Sequence, residues 1–406
     1  MSDVAYKSTT RNAFTFILLF GIVSLCADVT YEGARSITGP YLSILGATGT
    51  IVGLVAGGGE LLGYTLRLLS GYLADRTKQY WLLTIMGYAL SLGAVPLLAF
   101  ADHWVVAAGL LTVERIGKAV RTPARDAMLS HATSEVGRGW GFGVHEALDQ
   151  VGAILGPLLM MLVLLRGYDY HTGFAILAVP AVLAIAVVVC IYRRYPHPKS
   201  LERVSLELET SGFQPRFWLY LTAVCLIAAG YADYPLIAYH FITTSVMSET
   251  SIPLLYAIAM AVDGLAALVF GYLYDTKGIA TLAVASVISA LFAPFVFLGG
   301  LSSAVIGAIF WGIGMGAQES IMRAAIPSMV PAAKRASAYG IFTSGFGLSW
   351  FLGSVLMGWL YDVYLPALIV FSVTTQLGAA LLFLYLPTHQ QSQPSPNVDL
   401  HTNHMS

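Results

Sequence analysis

Five ionisable side chains sit where an apolar segment should carry none. Glu114, Arg115, Lys118, Arg121 and Arg125 fall in a stretch, 103–127, that is otherwise long and apolar enough to cross a bilayer. Each such group costs about 2.5–3.5 kcal/mol at the centre of a spanning helix on insertion scales. Glu114, Lys118, Arg121 and Arg125 follow at spacings of four, three and four, so a helix gathers them on one face. That face must look into a bundle or a water-filled cavity rather than at lipid. Two chemistries suit it. A carboxyl in a low-dielectric cavity beside a movable cation can carry a proton, and a guanidinium can hold an anionic solute group by paired hydrogen bonds. The third reading is internal ion pairing that only orients helices.

Other apolar stretches carry the same signature. Asp28, Glu32 and Arg35 share a face of the first, Glu60 and Arg67 lie seven apart on the second, and His145, Glu146 and Asp149 cluster on the fifth. Asp28, Glu32, Arg35, Glu60, Glu114, Arg115, Lys118, Glu146 and Asp149 are therefore the expected proton-coupling or substrate-binding residues. Arg121, Arg125 and Asp126, further along span 4, are the expected gate at its mouth. One His and two acids without a fourth ligand make a poor metal site, so neither metal nor cofactor is expected. The second half of the chain is sparser, with Asp233, Asp263 and Gln318-Glu319 beside Arg323 as its polar core.

What positions these residues is legible in the composition. The 406 residues are 57% hydrophobic and 11% charged, against about 25% charged in soluble domains, and mean hydropathy is +0.73. This is an all-α integral membrane protein, with no charge excess to suggest nucleic acid. Cys26, Cys190 and Cys225 lie unpaired in apolar runs, as small packing residues. At about 20 residues per crossing the chain holds twelve spans, from 13–44 to 364–386. A polar link, 194–215, separates a six-helix bundle at 1–193 from another at 216–387, and 388–406 reads as a disordered tail. Of the 21 Lys and Arg, Arg35, Arg67, Arg115 and Lys118 fall within spans and Arg166 alone falls opposite the termini. The positive-inside rule then puts both termini in the cytoplasm.

The halves repeat. Gly71-Tyr72-Leu73-Ala74-Asp75 returns as Gly271-Tyr272-Leu273-Tyr274-Asp275 at an offset of 200, and Ile116-Gly117, Gly143 and Gly156 return as Ile313-Gly314, Gly340 and Gly353 at 197. Six spans separate the copies, so the repeat is parallel, about an axis along the membrane normal.

The run Gly71-Tyr-Leu-Ala-Asp75-Arg76-Thr-Lys78 resembles the loop signature of the major facilitator superfamily, with Lys78 where a glycine is usual. Arg115 with Gly117 is loosely similar to that family's span 4 signature, and Gly152-Ala-Ile-Leu-Gly156-Pro157 to its antiporter signature in span 5. The resemblance implies two bundles of six helices and alternating access at their interface. It makes Gly71, Asp75, Arg76 and Asp275 a conformational latch, and Gly152, Gly156 and Pro157 a helix-bend motif. A topological anchor and plain helix packing remain as the respective alternatives.

The expected protein is thus a monomeric, non-enzymatic secondary transporter of the inner (cytoplasmic) membrane, working with a small-molecule solute, protons and the lipid bilayer. No nucleotide-binding loop is present to drive a pump. Export by proton antiport is the leading expectation. Symport of a charged or zwitterionic metabolite or a siderophore is the alternative.

Overall fold

The computed structural model describes residues 2–136, 138–196, 213–322, 324–326, 329–330 and 335–386, with side chains omitted at 2–13, 75, 130–144 and 335–337. Regular structure among these residues is helical. The bilayer offers no water to backbone N–H and C=O groups, so a crossing segment must pair them internally.

Spans 1 to 5 are Ser2–Ile44, Gly49–Thr77, Tyr80–Leu97 with a 3-10 turn at Leu98–Phe100, Trp104–Val136 and Arg138–Leu165. Span 6 stacks Tyr170–Ile176 on Ala178–Arg194, span 7 stacks Pro215–Gly230 on Tyr234–Thr243, and span 9 stacks Ala280–Ser289 on Phe292–Leu298. Spans 8, 10, 11 and 12 are Ser251–Lys277, Leu301–Ile321, Arg335–Val363 and Leu365–Tyr385. Eleven of these qualify as crossings by length and composition among the described residues. Span 4 is the twelfth, and its charges keep it out of that set. The expected link and tail fall largely at 197–212 and 387–406, outside the described residues.

Short connections make consecutive spans antiparallel. Spans 1 and 7 therefore start at the end of the bundle that carries the chain termini, here the terminal end, and finish at the far end. The repeat is visible in packing as well as sequence. The Tyr31 hydroxyl lies 2.5 Å from Ser91 Oγ, beside Gly117, whose missing side chain admits the Ser91 backbone. At matching positions Tyr231, Ser289 and Gly314 crowd together. Gly156 likewise lets span 5 lie on span 1, where a Cβ would come 2.6 Å from Gly33 N, and Gly353 lets span 11 lie on Ala229 of span 7.

The halves meet along two seams that are tightest at the far end. Gly49, Gly53 and Gly57, one turn apart on span 2, face Ser354 and Gly358 of span 11. Small residues at this spacing let helix backbones touch. Asp362 of span 11 closes the seam by accepting from Gly49 N at 2.8 Å, Thr50 N at 2.7 Å and Thr50 Oγ1 at 2.6 Å. It thereby satisfies N–H groups that a helix start leaves without partners. Gly39 of span 1 sits against Pro235 of span 7. Towards the middle the contacts thin to Tyr64 on Phe346, ring centres 5.6 Å apart, and to Gln150 on Gly264.

Span 7 was expected as one continuous helix and is broken. Pro235 has no N–H and cannot continue a helix from below, so the chain runs extended through Tyr231 and Asp233. The orphaned carbonyls find side chains: Ser372 Oγ donates to Gly230 O at 2.7 Å and Trp311 Nε1 to Ala232 O at 2.8 Å. The Tyr231 hydroxyl returns a bond to Trp311 O. The break delivers the Asp233 side chain to the interface of the halves.

Lys78, the departure from the loop signature, ends span 2 at φ 58°, and Gly278, its repeat partner, sits at φ 68°. A non-glycine residue there carries about 1 kcal/mol of strain. Lys78→Gly is expected to leave the fold intact and to raise the melting temperature of detergent-purified protein slightly; a marked loss would mean the Lys side chain itself stabilises the turn.

Candidate functional site

Spans 1, 2 and 4 bring their charges together. Arg115 is the hub. Its Nη1 donates to Glu60 Oε1 at 2.8 Å and its Nε lies 3.1 Å from Glu114 Oε2. Glycine at 59 makes room, since a Cβ there would meet Arg115 Cγ at 2.9 Å. Glu60 is also 3.9 Å from Arg35 Nη2, and the same Arg35 nitrogen is 3.6 Å from Asp233 Oδ1. Arg35 thus joins an acid of each half. Asp233, 2% exposed, is held by Trp350 Nε1 at 3.0 Å and Ser354 Oγ at 2.7 Å, both from span 11. Glu32 makes a second link, accepting from the Tyr256 hydroxyl of span 8 at 2.6 Å.

These groups line a cavity of about 50 Å³, room for a few waters. Glu32, Arg35, Glu114, Arg115, Lys118 and Asp233 supply its polar wall, and Val52, Val55 and Leu111 part of its apolar one. Lys118 Nζ lies 5.2 Å from the centre of the Tyr31 ring. Arg121, 2% exposed, stacks between Tyr31 and Tyr88 at 5.4 and 4.2 Å. Cations over aromatic faces gain about 0.5–2 kcal/mol each, which offsets part of their desolvation.

Five of the expected residues line this cavity, Glu32, Arg35, Glu114, Arg115 and Lys118; Glu60 joins them through Arg115 and Arg35, and Asp28 precedes Glu32 by one turn of span 1. Asp28 lies against Gly152, whose Cβ would sit 3.0 Å from the Asp28 Cβ. Asp149 belongs to a separate pair with His145 Nδ1 at 3.5 Å, and His145 Nε2 is 2.9 Å from Ser24 Oγ. No group of three metal-ligating side chains occurs among the described residues. Glu146 of span 5 is exposed. Of the expected gate residues, Arg125 pairs with its own neighbour, Arg125 Nη2 to Asp126 Oδ1 at 2.8 Å.

Of the latch residues, Gly71 lies against Pro123 of span 4, Arg76 reaches the Tyr72 hydroxyl at 3.4 Å, and Asp275 is exposed. The Asp75 side chain is outside the described residues. Gly152 and Gly156 pack span 5 on span 1, and span 5 runs through Pro157 without interruption. Sequence reasoning missed the roles of Asp233, Tyr256, Trp350 and Asp362. The Tyr234-Pro235 step was a usable signal for the first.

Comparison with known proteins agrees with this architecture. The Major Facilitator Superfamily model matches residues 20–239 and 219–403. An uncharacterised protein of Mycobacterium tuberculosis (strain H37Rv) is 43% identical over 389 residues, 94% of this chain and 95% of that one. An uncharacterised MFS-type transporter of Methanocaldococcus jannaschii is 24% identical over 385 residues, 91% and 94% of the two chains. Among solved structures, the nucleoside transporter NupG superposes with a TM-score of 0.74 at 14% identity, covering 91% of this chain and 99% of that one. The peptide transporter POT gives 0.72 at 14%, covering 91% and 93%.

Proposed function

The chain belongs to the major facilitator superfamily and is a membrane transporter of that type, and on that premise we propose that it exports a small polar organic solute by proton-coupled alternating access. The observation that carries this reading is Arg35, shared between Glu60 of one half and Asp233 of the other. An ion pair that crosses the interface must be remade when the halves rock, and protons or a charged solute are the species able to take the place of either partner. Residues 1–193 and 216–387 are the rocking bodies and 194–215 their link. The asymmetry of basic residues supports cytoplasmic termini and a bacterial inner-membrane location, so the form closed at the far end faces inward. Gly71, Asp75, Arg76 and Asp275 then form the terminal-end latch of the opposite state. Arg121, Arg125 and Asp126 line its mouth.

Symport of a charged or zwitterionic metabolite is the second reading, favoured by a cavity wall that carries both signs of charge. Proteoliposomes loaded with a solute that raises the melting temperature of the purified protein separate the two. Solute moving against an imposed proton gradient is the expected result, and movement with the proton flow establishes symport. Flux that ignores the gradient for every bound solute would overturn proton coupling.

A further inference from the structure

Glu60, Glu114 and Asp233 each lie beside a guanidinium. Asp263, midway along span 8, does not. It is 4% exposed, its Oδ1 has no hydrogen-bond partner, and none of the ion pairs among the described residues includes it. Its one bond comes from the other half: Gln150 Nε2 of span 5 lies 3.5 Å from Asp263 Oδ2 and donates to Met260 O at 2.6 Å. The Gln150 side chain lies on Gly264, where a Cβ would come within 2.9 Å of it. Asp263 therefore sits in the seam between spans 5 and 8, at the depth where the contacts between halves give out.

Among the described residues, the ionisable groups near it on the packed elements are acids or a phenol. They are Glu319 of span 10, Glu32 of span 1, Glu146 of span 5 and Tyr231 of span 7. Span 10 is pressed close here, since a Cβ on Gly316 would collide with the Asp263 carbonyl. Glu319 follows one turn later on the same face. A carboxylate buried without a compensating cation among the described residues is disfavoured in its charged form, and access to water relieves that penalty. The repeat gives no counterpart for this arrangement in the first half, where Arg115 and Arg35 compensate the acids.

We propose that Asp263 is the proton-carrying carboxyl of this transporter, protonated while spans 5 and 8 are closed on it and deprotonated when they part and water enters. The step is a bare proton transfer: an O–H bond forms on the carboxylate as one breaks on hydronium, and the reverse occurs on release. Because closure and protonation favour each other, each shifts the other by the same factor. Gln150 is the positioning residue, holding the carboxyl across the seam. The assignment rests on the proton-coupled reading above and names its site.

The test needs no known solute. Wild type, D263N and a control at the exposed loop residue Asp102, D102N, are placed in lipid nanodiscs and compared by infrared difference spectroscopy across a pH titration. In parallel, spin labels at Val151 and Leu265, exposed residues flanking the seam, report its width. On acidification the wild type is expected to gain a protonated-carboxyl band and to narrow its seam. D263N should lack that one band and hold one seam width at all pH, a loss of tenfold or more in the pH dependence, while D102N keeps both responses. D263E, which keeps a titratable group, should restore the response even if D263N folds poorly. A D263N spectrum that retains every band, or a seam that still follows pH, overturns the assignment. If band and seam follow Asp263 yet flux in liposomes ignores a pH gradient, the site stands and the coupled-transport reading fails.

Discussion

Arg115→Ala is expected to abolish solute accumulation and to destabilise the protein by roughly 3 kcal/mol or more, the usual consequence of removing one partner from a buried ion pair. Two carboxylates depend on this guanidinium, Glu60 at 2.8 Å and Glu114 at 3.1 Å. Their side chains are 16% and 8% exposed, so water replaces the lost charge poorly. Arg115→Lys should recover part of the stability but little transport, because one ammonium cannot bond two acids in the fork geometry. The decisive comparison is the neutral combination Arg115→Leu, Glu60→Gln and Glu114→Gln. A network that only orients helices would survive neutralisation, because well-packed uncharged replacements often match a buried ion pair in stability. Melting temperature near wild type with flux absent is the expected result. Flux near wild type in the neutral variant would reduce the cluster to scaffolding.

That cluster was the most legible part of the chain, and for a physical reason. Charge in a membrane span is costly enough that Glu114, Arg115 and Lys118 announce an inward-looking face without any structural knowledge. The fold was legible for a similar reason: the length of apolar runs is set by bilayer thickness, and the copies of Gly-Tyr-Leu at 71 and 271 expose the repeat. What could not be read was partnership across the halves. Asp233 was visible as a polar residue, but its contact with Arg35 depends on span 7 breaking at Pro235. Hydropathy sums do not register a break whose carbonyls are recovered by Ser372 and Trp311, residues far along the chain. Asp362 carries no signal in the sequence because the helix start it caps lies more than 300 positions earlier. Gly152 and Gly156 show the opposite limit. Their spacing suits close helix packing as well as a bend motif, and it does not name the partner, which is the span 1 backbone.

The same limit applies to Gly49, Gly53 and Gly57, and it yields the second large effect. Small residues at four-residue spacing suit any close helix pair; Ser354 and Gly358 opposite them are what make the stripe a closure between halves. A Cβ at Gly53 would collide with Ser354 O, and the backbone atom has nowhere to go. If the halves alternate as proposed, this seam opens in the other state, and Gly53→Leu should then penalise the far-end-closed form alone. Overpacking costs of about 1–3 kcal/mol correspond to a shift of roughly 5–150-fold in the equilibrium. Spin labels at Ile44 and Tyr364, both exposed, would report it in a background with Cys26, Cys190 and Cys225 replaced by Ser. The distance distribution should move to longer values in Gly53→Leu and less so in Gly53→Ala. It should stay unchanged in Gly63→Leu, where a Cβ meets nothing within 4 Å. Asp362→Ala should move it in the same direction by removing three acceptor contacts, and the two changes should not add, because each acts on the same seam. A wild-type distribution in Gly53→Leu would mean that this seam yields without opening. The closure would then have to rest on Gly39 and Pro235, the span 1 and span 7 contact that Gly53 does not touch.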